Sequence, residues 1–446
     1  MPPGGSGRGG QVNVRKLSNR ISTFRMLLSG GAEQLSALRR IEVRREGESP
    51  PGPTGRAKEL RGRIKALRST WQWLSTERLT RHNGKWVINS LFPPIPGVAH
   101  GRMCANLFPK PKVGFHPHSA YLAITDECPA DCWHCSLADR RGGPLLTTEQ
   151  WKQAIRDLAE MQASVIAFTG GEPLLRSDLP ELVRTAAQGG CAVQVLTSGV
   201  GLNRTLLREL KEVGLWALGV SLDHTDPAVF NQMRNRAEAF SDAAAAVKVG
   251  AEMGLYTFIN AVPTSAGVAA GEHVRLHHLA GNMGANELRL VEPKPCGKLA
   301  AATPDVFLSE EQMDELSAFH CRTNQFSPGP KVCSFSHIEG PELFGCMAGN
   351  LHLYIDPSGR VCPCDVTPLS FGNVSEEPLV AIYERMKSSF GVPRRHCFSR
   401  CHQELLNRQE PVDGYPLPPE QSAKVVEAAG RDELPDFFKL TTLDRD

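Results

Sequence analysis

The sequence predicts an α/β fold: a partial (β/α)6 barrel, followed by a small C-terminal cysteine-rich α+β domain and preceded by a basic N-terminal extension. Three observations predict it. From Ala120 to Pro293, short apolar runs alternate with amphipathic helical patterns, and strands separated by crossover helices pair parallel. Seven of the thirteen cysteines fall within residues 321–401, after that rhythm has ended. Through Trp86, 18 Lys and Arg stand against 6 Asp and Glu, so this segment carries 18 − 6 = +12 and the remainder 2 − 12 = −10. The expected boundaries are 1–90 for the extension, 114–300 for the barrel, 301–410 for the cysteine-rich domain and 411–446 for a tail.

In chain order, MPPGGSGRGG at 1–10 and GESPPGPTGR at 47–56 are too rich in Gly and Pro to bury an apolar face and read as disordered tail and linker. Between them, Leu17, Ile21, Phe24, Leu27 and Leu28 lie scattered among arginines, a basic amphipathic pattern. It predicts a solvated helix packed on the main body or, alternatively, a surface that docks on an anionic membrane or an acidic partner. YLAIT (121–125) is the first barrel strand. Thr147 and Gln150 have capping-box spacing, and Trp151, Ile155 and Leu158 then recur on one helical face. VIAFT (165–169), a helix from Leu179, VQVLTSG (193–199), a helix after Asn203 and ALGVSLD (217–223) follow. A helix in the AAAAVKVG stretch, TFINAV (257–262), a helix over Val274–Leu279 and ELRLVEP (287–293) complete six units, which suggest a partial barrel more than an eightfold one. Beyond them, the turn-like DPSGR (356–360) separates the strand-like LHLYI from VCPCDV.

The 446 residues allow an ample core. No apolar run approaches the roughly 18 residues that would cross a bilayer, and no charged start precedes a hydrophobic stretch, so a cytoplasmic location is expected. Contact of the basic front with a membrane periphery is the alternative, and no nucleic-acid partner is expected, because no recognition module accompanies the charge. A large chain without a secretory signal, with cysteines at metal-ligand spacings, points to metal and not to disulfides.

The stretch CPADCWHC (128–135) places Cys128, Cys132 and Cys135 one ligand short of a closed tetrahedral zinc site. Three thiolates can instead hold three irons of a cubane cluster and leave the fourth iron open to an exogenous ligand. A zinc knuckle is the alternative for the triplet alone. Following the second strand stands FTGGEPLLR (168–176). The CxxxCxxC run behind a first strand, with Gly170, Gly171, Glu172 and Pro173 at the next strand end, resembles the radical S-adenosylmethionine (SAM) enzymes, in a TIM-like partial barrel. The resemblance implies that Cys128, Cys132 and Cys135 carry a catalytic [4Fe–4S] cluster whose fourth iron is chelated by SAM. Reductive cleavage of SAM would then give a 5′-deoxyadenosyl radical that abstracts hydrogen from substrate. It implies further that the Gly-Gly-Glu-Pro run holds the SAM amino group, the glycines allowing close backbone approach and Glu172 pairing with an ammonium. Ser198 and Gly199, Ser221 and Asp223, Asn260, and Leu290 with Val291 end later strands, where the family contacts SAM, although strand-end polar residues also serve as caps. His134 stands where the family often has an aromatic near adenine; a solvated loop histidine is the alternative.

The resemblance continues in CMAGNLHLYIDPSGRVCPC, where twelve residues separate Cys346 from Gly359 and four more lead to Cys364. This is similar to the opening half of the SPASM and twitch-type auxiliary-cluster domains, with Cys397 and Cys401 closing a four-thiolate site for one auxiliary iron–sulfur cluster. Cys333 and Cys362 compete for ligand positions or are buried thiols, and Cys104, Cys191, Cys296 and Cys321 have no assigned role. A reducing partner such as flavodoxin or ferredoxin and an organic substrate are implied. The substrate would be a peptide or biosynthetic intermediate, or a lipid reached from the membrane surface; a non-catalytic iron–sulfur or zinc protein is the rival from another class.

Overall fold

The computed structural model describes residues 70–107, 116–409 and 414–441. The expectations for 1–10, 14–45 and 47–56 lie outside the described residues. The described chain starts with a helical turn at 70–76 and a two-stranded hairpin, β1 (Thr80–His82) and β2 (Lys85–Val87). Its turn is Asn83-Gly84, both at positive φ, the pairing that two-residue hairpin loops favour. Helix α1 (Val98–Leu107) leads to the barrel.

The barrel runs β3 (Ser119–Ala123), α2 (Thr148–Glu160), β4 (Val165–Thr169), α3 (Leu179–Gln188), β5 (Ala192–Thr197), α4 (Arg204–Glu212), β6 (Leu215–Ser221), α5 (Pro227–Arg234), α6 (Ala239–Glu252), β7 (Tyr256–Ala261), α7 (Glu272–Asn282) and β8 (Glu287–Leu290). The six expected strands pair parallel in sequence order. The capping box at Thr147 forms, with Gln150 reciprocating, and Trp151, Ile155 and Leu158 are fully buried against the sheet.

The sheet does not stop near residue 300, where the sequence reading ended the barrel. Helix α8 (Glu310–Phe326), capped by Ser309 with Gln312, crosses over to β9 (Lys331–Ser334), parallel to β8. On the opposite edge β10 (His352–Ile355) pairs parallel with β3, and β11 (Val361–Cys362) turns back antiparallel. The nine-stranded order is thus β11-β10-β3-β4-β5-β6-β7-β8-β9, so the cysteine-rich hairpin continues the barrel sheet. Helices α9 (Leu379–Phe390), α10 (Pro419–Ala429) and α11 (Asp436–Thr441) complete the chain.

Two ends expected to be peripheral are built into the body. The extension was expected to reach residue 90, yet Ser90 is fully buried and its backbone N–H donates to Glu287 on β8 at 2.8 Å. Arg289 donates to the Ser90 hydroxyl, and Lys331 donates to the carbonyls of Val87 and Ile88, both at 2.9 Å. Residues 86–91 therefore satisfy three charged groups inside the barrel that would be costly to bury unpaired. The expected tail from 411 likewise packs: Phe437 and Phe438 join Trp73, Phe92 and Phe344 in one buried cluster, with the Phe344 and Phe437 rings 4.5 Å apart. Two adjacent aromatics among charged residues carry no helical period over so short a span, which is why the segment read as a tail.

Phe438 is completely buried, so Phe438→Ala removes a large core side chain and is expected to lower stability by about 3–5 kcal/mol, read by urea unfolding. His118, buried with Nε2 at 3.2 Å from the Leu91 carbonyl, has its pKa pushed down to about 4 by burial. The fold keeps it neutral while the unfolded chain protonates it below about 6.5, so its contribution is lost as pH falls from about 6.5 to 4. His118→Gln is expected to flatten the pH dependence of the urea midpoint in that window.

Candidate functional site

The three-cysteine loop leaves β3 and is pinned from several sides. The Asp131 and Trp133 N–H groups donate to the carbonyls of Arg234 and Met233, both at 3.0 Å, and Lys298 N–H donates to the Cys135 carbonyl at 3.1 Å. Cys128, Cys132 and Cys135 are all half-buried. Their sulfurs have cationic neighbours: Arg234 Nη1 lies 3.3 Å from Cys132 Sγ and Arg141 Nη2 lies 3.6 Å from Cys135 Sγ. Such donors suit thiolate ligands, which must be deprotonated to bind metal. In the metal-free thiol form burial pushes Cys128 up to about 11.

The glycine run packs against this loop. A Cβ on Gly170 would stand 2.4 Å from the Thr125 carbonyl oxygen, and one on Gly171 2.1 Å from that of Glu127. Gly171 N–H donates to Thr125 O and Glu172 N–H to Glu127 O, both at 2.7 Å. The bare glycines are thus demanded by backbone of the cysteine loop. The Glu172 carboxylate is buried and accepts from Leu174 N–H at 3.1 Å, the Thr197 hydroxyl at 2.6 Å, and Ser198 through N–H at 2.8 Å and hydroxyl at 2.5 Å. Its four acceptor positions are filled, so Glu172 ties the end of β4 to the end of β5. Burial nevertheless raises its pKa against these hydrogen bonds. Pro173 opens the short 3₁₀ turn that follows, with Glu172 as its cap.

Ser221 ends β6 opposite Asn260 on β7, and the Asn260 Oδ1 is buried without a hydrogen-bond partner among the described residues. Asp223 is buried and committed: it pairs with Arg234 Nη2 at 2.6 Å and accepts from Val262 N–H at 2.9 Å. His134 is no solvated loop histidine. Its Nδ1 is buried without a partner among the described residues, its ring sits edge-on to Trp133 at 5.1 Å, and burial pushes its pKa down to about 4, so it is neutral at pH 7. The sequence reading missed Arg234, which links Asp223 to Cys132. An arginine near the end of an amphipathic helix carries no signal by itself.

In the auxiliary group, Gly359 turns the β10–β11 hairpin at φ +91°. The neighbouring Cys346 thiol pushes Cys397 down to about 5. Cys346, Cys364 and Cys397 are half-buried, whereas Cys401 is exposed. Cys333 and Cys362 are fully buried in apolar clusters. The structure therefore brings together the triplet, the Gly-Gly-Glu-Pro run and the β5 and β6 ends, and beside them a second group in which Cys346 meets Cys397.

A parallel partial barrel with an open-ended cysteine triplet at its first strand end and a second cysteine group on its edge hairpin defines an iron–sulfur barrel enzyme. The chain carries a radical SAM superfamily domain over residues 122–264 and a SPASM iron–sulfur cluster-binding domain over residues 346–403. Its cofactors are accordingly a [4Fe–4S] cluster with SAM and an auxiliary iron–sulfur cluster. A PqqA peptide cyclase of Bradyrhizobium diazoefficiens is 27% identical, over 59% of this chain and 72% of that protein. Streptococcus suis SuiB bound to precursor peptide SuiA superposes with a TM-score of 0.54 at 14% identity, over 66% of this chain and 74% of that one. SuiB bound to S-adenosylmethionine gives 0.52 at 15%, over 66% and 75%. These two likenesses concern the fold. Among the described residues no helix is long and apolar enough to cross a membrane.

Gly171→Ala is expected to destabilise the protein by about 1–3 kcal/mol, because its methyl group meets backbone that cannot swing away. Gly101→Ala, inside α1 with nothing within 4 Å of the new Cβ, is expected to leave stability unchanged or raise it by up to about 1 kcal/mol. Paired thermal melts of the two variants check the contrast.

Proposed function

We propose that the chain is a peptide-modifying radical SAM enzyme in which Cys128, Cys132 and Cys135 hold the SAM-binding cluster. The observation that carries this reading is the convergence of Arg234 and Arg141 on the sulfurs of a half-buried triplet clamped to Gly171 and Glu172. When bound, the cluster and SAM supply a primary alkyl radical able to abstract an unactivated hydrogen. The protein's own residues do the remaining work. Gly170 and Gly171 admit the cysteine loop, Glu172 and Ser198 fix the adjoining strand ends, and Asp223 orients Arg234 toward Cys132. His134, neutral and half-buried, and Asn260, opposite Ser221, offer for the adenosyl portion polar atoms without partners among the described residues. Cys346, Cys364 and Cys397 supply thiolates for the auxiliary cluster, which would aid substrate binding or take up an electron from it. Flavodoxin or ferredoxin would serve as reductant.

A peptide substrate is supported by the cyclase relative, whose name specifies a peptide, and by the SuiB fold likeness. The +12 charge through Trp86 favours a second reading, a lipid substrate at an anionic membrane. Pelleting of the full-length protein with anionic vesicles at low salt, lost when residues 1–69 are removed, would support the lipid reading; absence of pelleting removes it.

Anaerobically reconstituted protein with dithionite and SAM is expected to release 5′-deoxyadenosine, and Cys132→Ala to abolish it. A deuterated peptide substrate should pass deuterium into that product. Protein that binds only zinc at the triplet would overturn the reading.

A further inference from the structure

Four cysteines nominate a four-thiolate auxiliary site by their spacing, but the geometry singles out another side chain. In the β10–β11 hairpin Tyr354 stands opposite Cys362 and Ile355 opposite Val361. His352 begins β10, and Cys364 follows two residues after the end of β11. One ligand atom each of His352, Cys364 and Asp365 lies within 4.8 Å of the others, the spacing expected of side chains that share one metal ion. His352 is also prepared in the way metal-binding imidazoles are. Its Nδ1 lies 2.8 Å from the Ser119 hydroxyl at the start of β3, which fixes the ring and leaves Nε2 to coordinate. The Tyr121 ring meets it edge-on at 4.9 Å and limits its rotation. Cys401, by contrast, is the exposed member of the cysteine group, on a short helix at 398–401.

We propose that His352 is a ligand of the auxiliary cluster, together with Cys346, Cys364 and Cys397, and that Cys401 lies outside the ligand set. The inference rests on the presence of an auxiliary cluster and specifies what holds it. Asp365, which accepts a hydrogen bond from the Cys364 thiol at 3.1 Å, lies in the outer shell in this assignment. A neutral imidazole in place of a thiolate makes the cluster one unit less negative and easier to reduce, as histidine ligation does in Rieske centres. That suits a centre that takes up an electron from substrate.

The test uses the full chain carrying Cys128→Ala, Cys132→Ala and Cys135→Ala, so that only the auxiliary cluster is reconstituted, anaerobically, with iron and sulfide. The reduced protein is expected to show a histidine nitrogen coupling in pulsed electron paramagnetic resonance, altered by 15N-histidine labelling. Adding His352→Cys should keep the iron content, abolish that coupling and move the reduction potential to a more negative value. Adding Cys401→Ala should leave iron content, coupling and potential unchanged. His352→Ala should lose bound iron, with circular dichroism checking that the chain stays folded; the His352→Cys comparison stands if it does not. No nitrogen coupling in the parent, or loss of the cluster in Cys401→Ala, overturns the assignment while leaving an auxiliary cluster in place. No iron bound by the parent at all refutes the auxiliary cluster itself.

Discussion

The site depends on one close approach of backbone to backbone. Gly171 and Glu172 donate to the carbonyls of Thr125 and Glu127, across a gap too narrow for any side-chain carbon. Because β3 and β4 are neighbours in register from Ser119 with Val165 to Ala123 with Thr169, the ladder simply continues past the strand ends. The cysteine loop thereby starts from a fixed direction, and the following helical turn begins at Pro173 with its cap already in place. A rigid start matters for a loop that must present three sulfurs to one cluster, since each misplaced sulfur would strain the cluster or open it.

Charge is distributed to the same end. Fully thiolate-ligated clusters are anionic, and two buried cations near the candidate sulfurs already have carboxylate partners. Arg234 reaches Cys132 with one nitrogen while another pairs with Asp223. Lys294 pairs with Glu292 at 2.6 Å, and although its burial opposes charge, Cys397 and Glu292 hold its pKa above the usual range. Pairing these two cations to carboxylates removes most of the penalty of burying them and fixes the direction of the charge they present to the sulfurs.

What could be read from the sequence follows the range of the determining contacts. Six strands of the sheet, the capping box at Thr147 and the cysteine and glycine motifs are each encoded within a few consecutive residues. The missed features are not. KVCS at 331–334 is four residues long, begins with lysine and contains cysteine, and becomes a strand because Lys331 finds the Val87 and Ile88 carbonyls more than 240 residues away in sequence. The cysteine-rich hairpin was legible as a hairpin, but its attachment to β3 is a tertiary fact. Glu172 was recognised by its motif; its saturation by Thr197 and Ser198 required the strands to be placed side by side. Arg234 and His352 are single residues whose partners lie on other elements, Cys132 about 100 residues away for one and Ser119 more than 230 away for the other.

The placement of Glu339 shows how the barrel and the cysteine-rich segment meet. It follows the short helix after β9, and burial pushes its pKa up to about 8 despite the opposing charge of Lys294, so it is a neutral acid at pH 7. Cys397, Glu292 and Asp365 also act on it, which sets this residue of the seventh barrel unit among groups of the auxiliary site. The region between barrel and hairpin thus combines charges locked in pairs with a carboxyl kept protonated by its surroundings. A loose charge there would give a reactive carbon radical an alternative partner, and the pairing of Lys294 with Glu292 removes one such charge. The seventh strand and the edge hairpin therefore serve the site as well as the fold, because they extend the sheet at both edges and carry Glu339 and Cys364 on the turns that follow them.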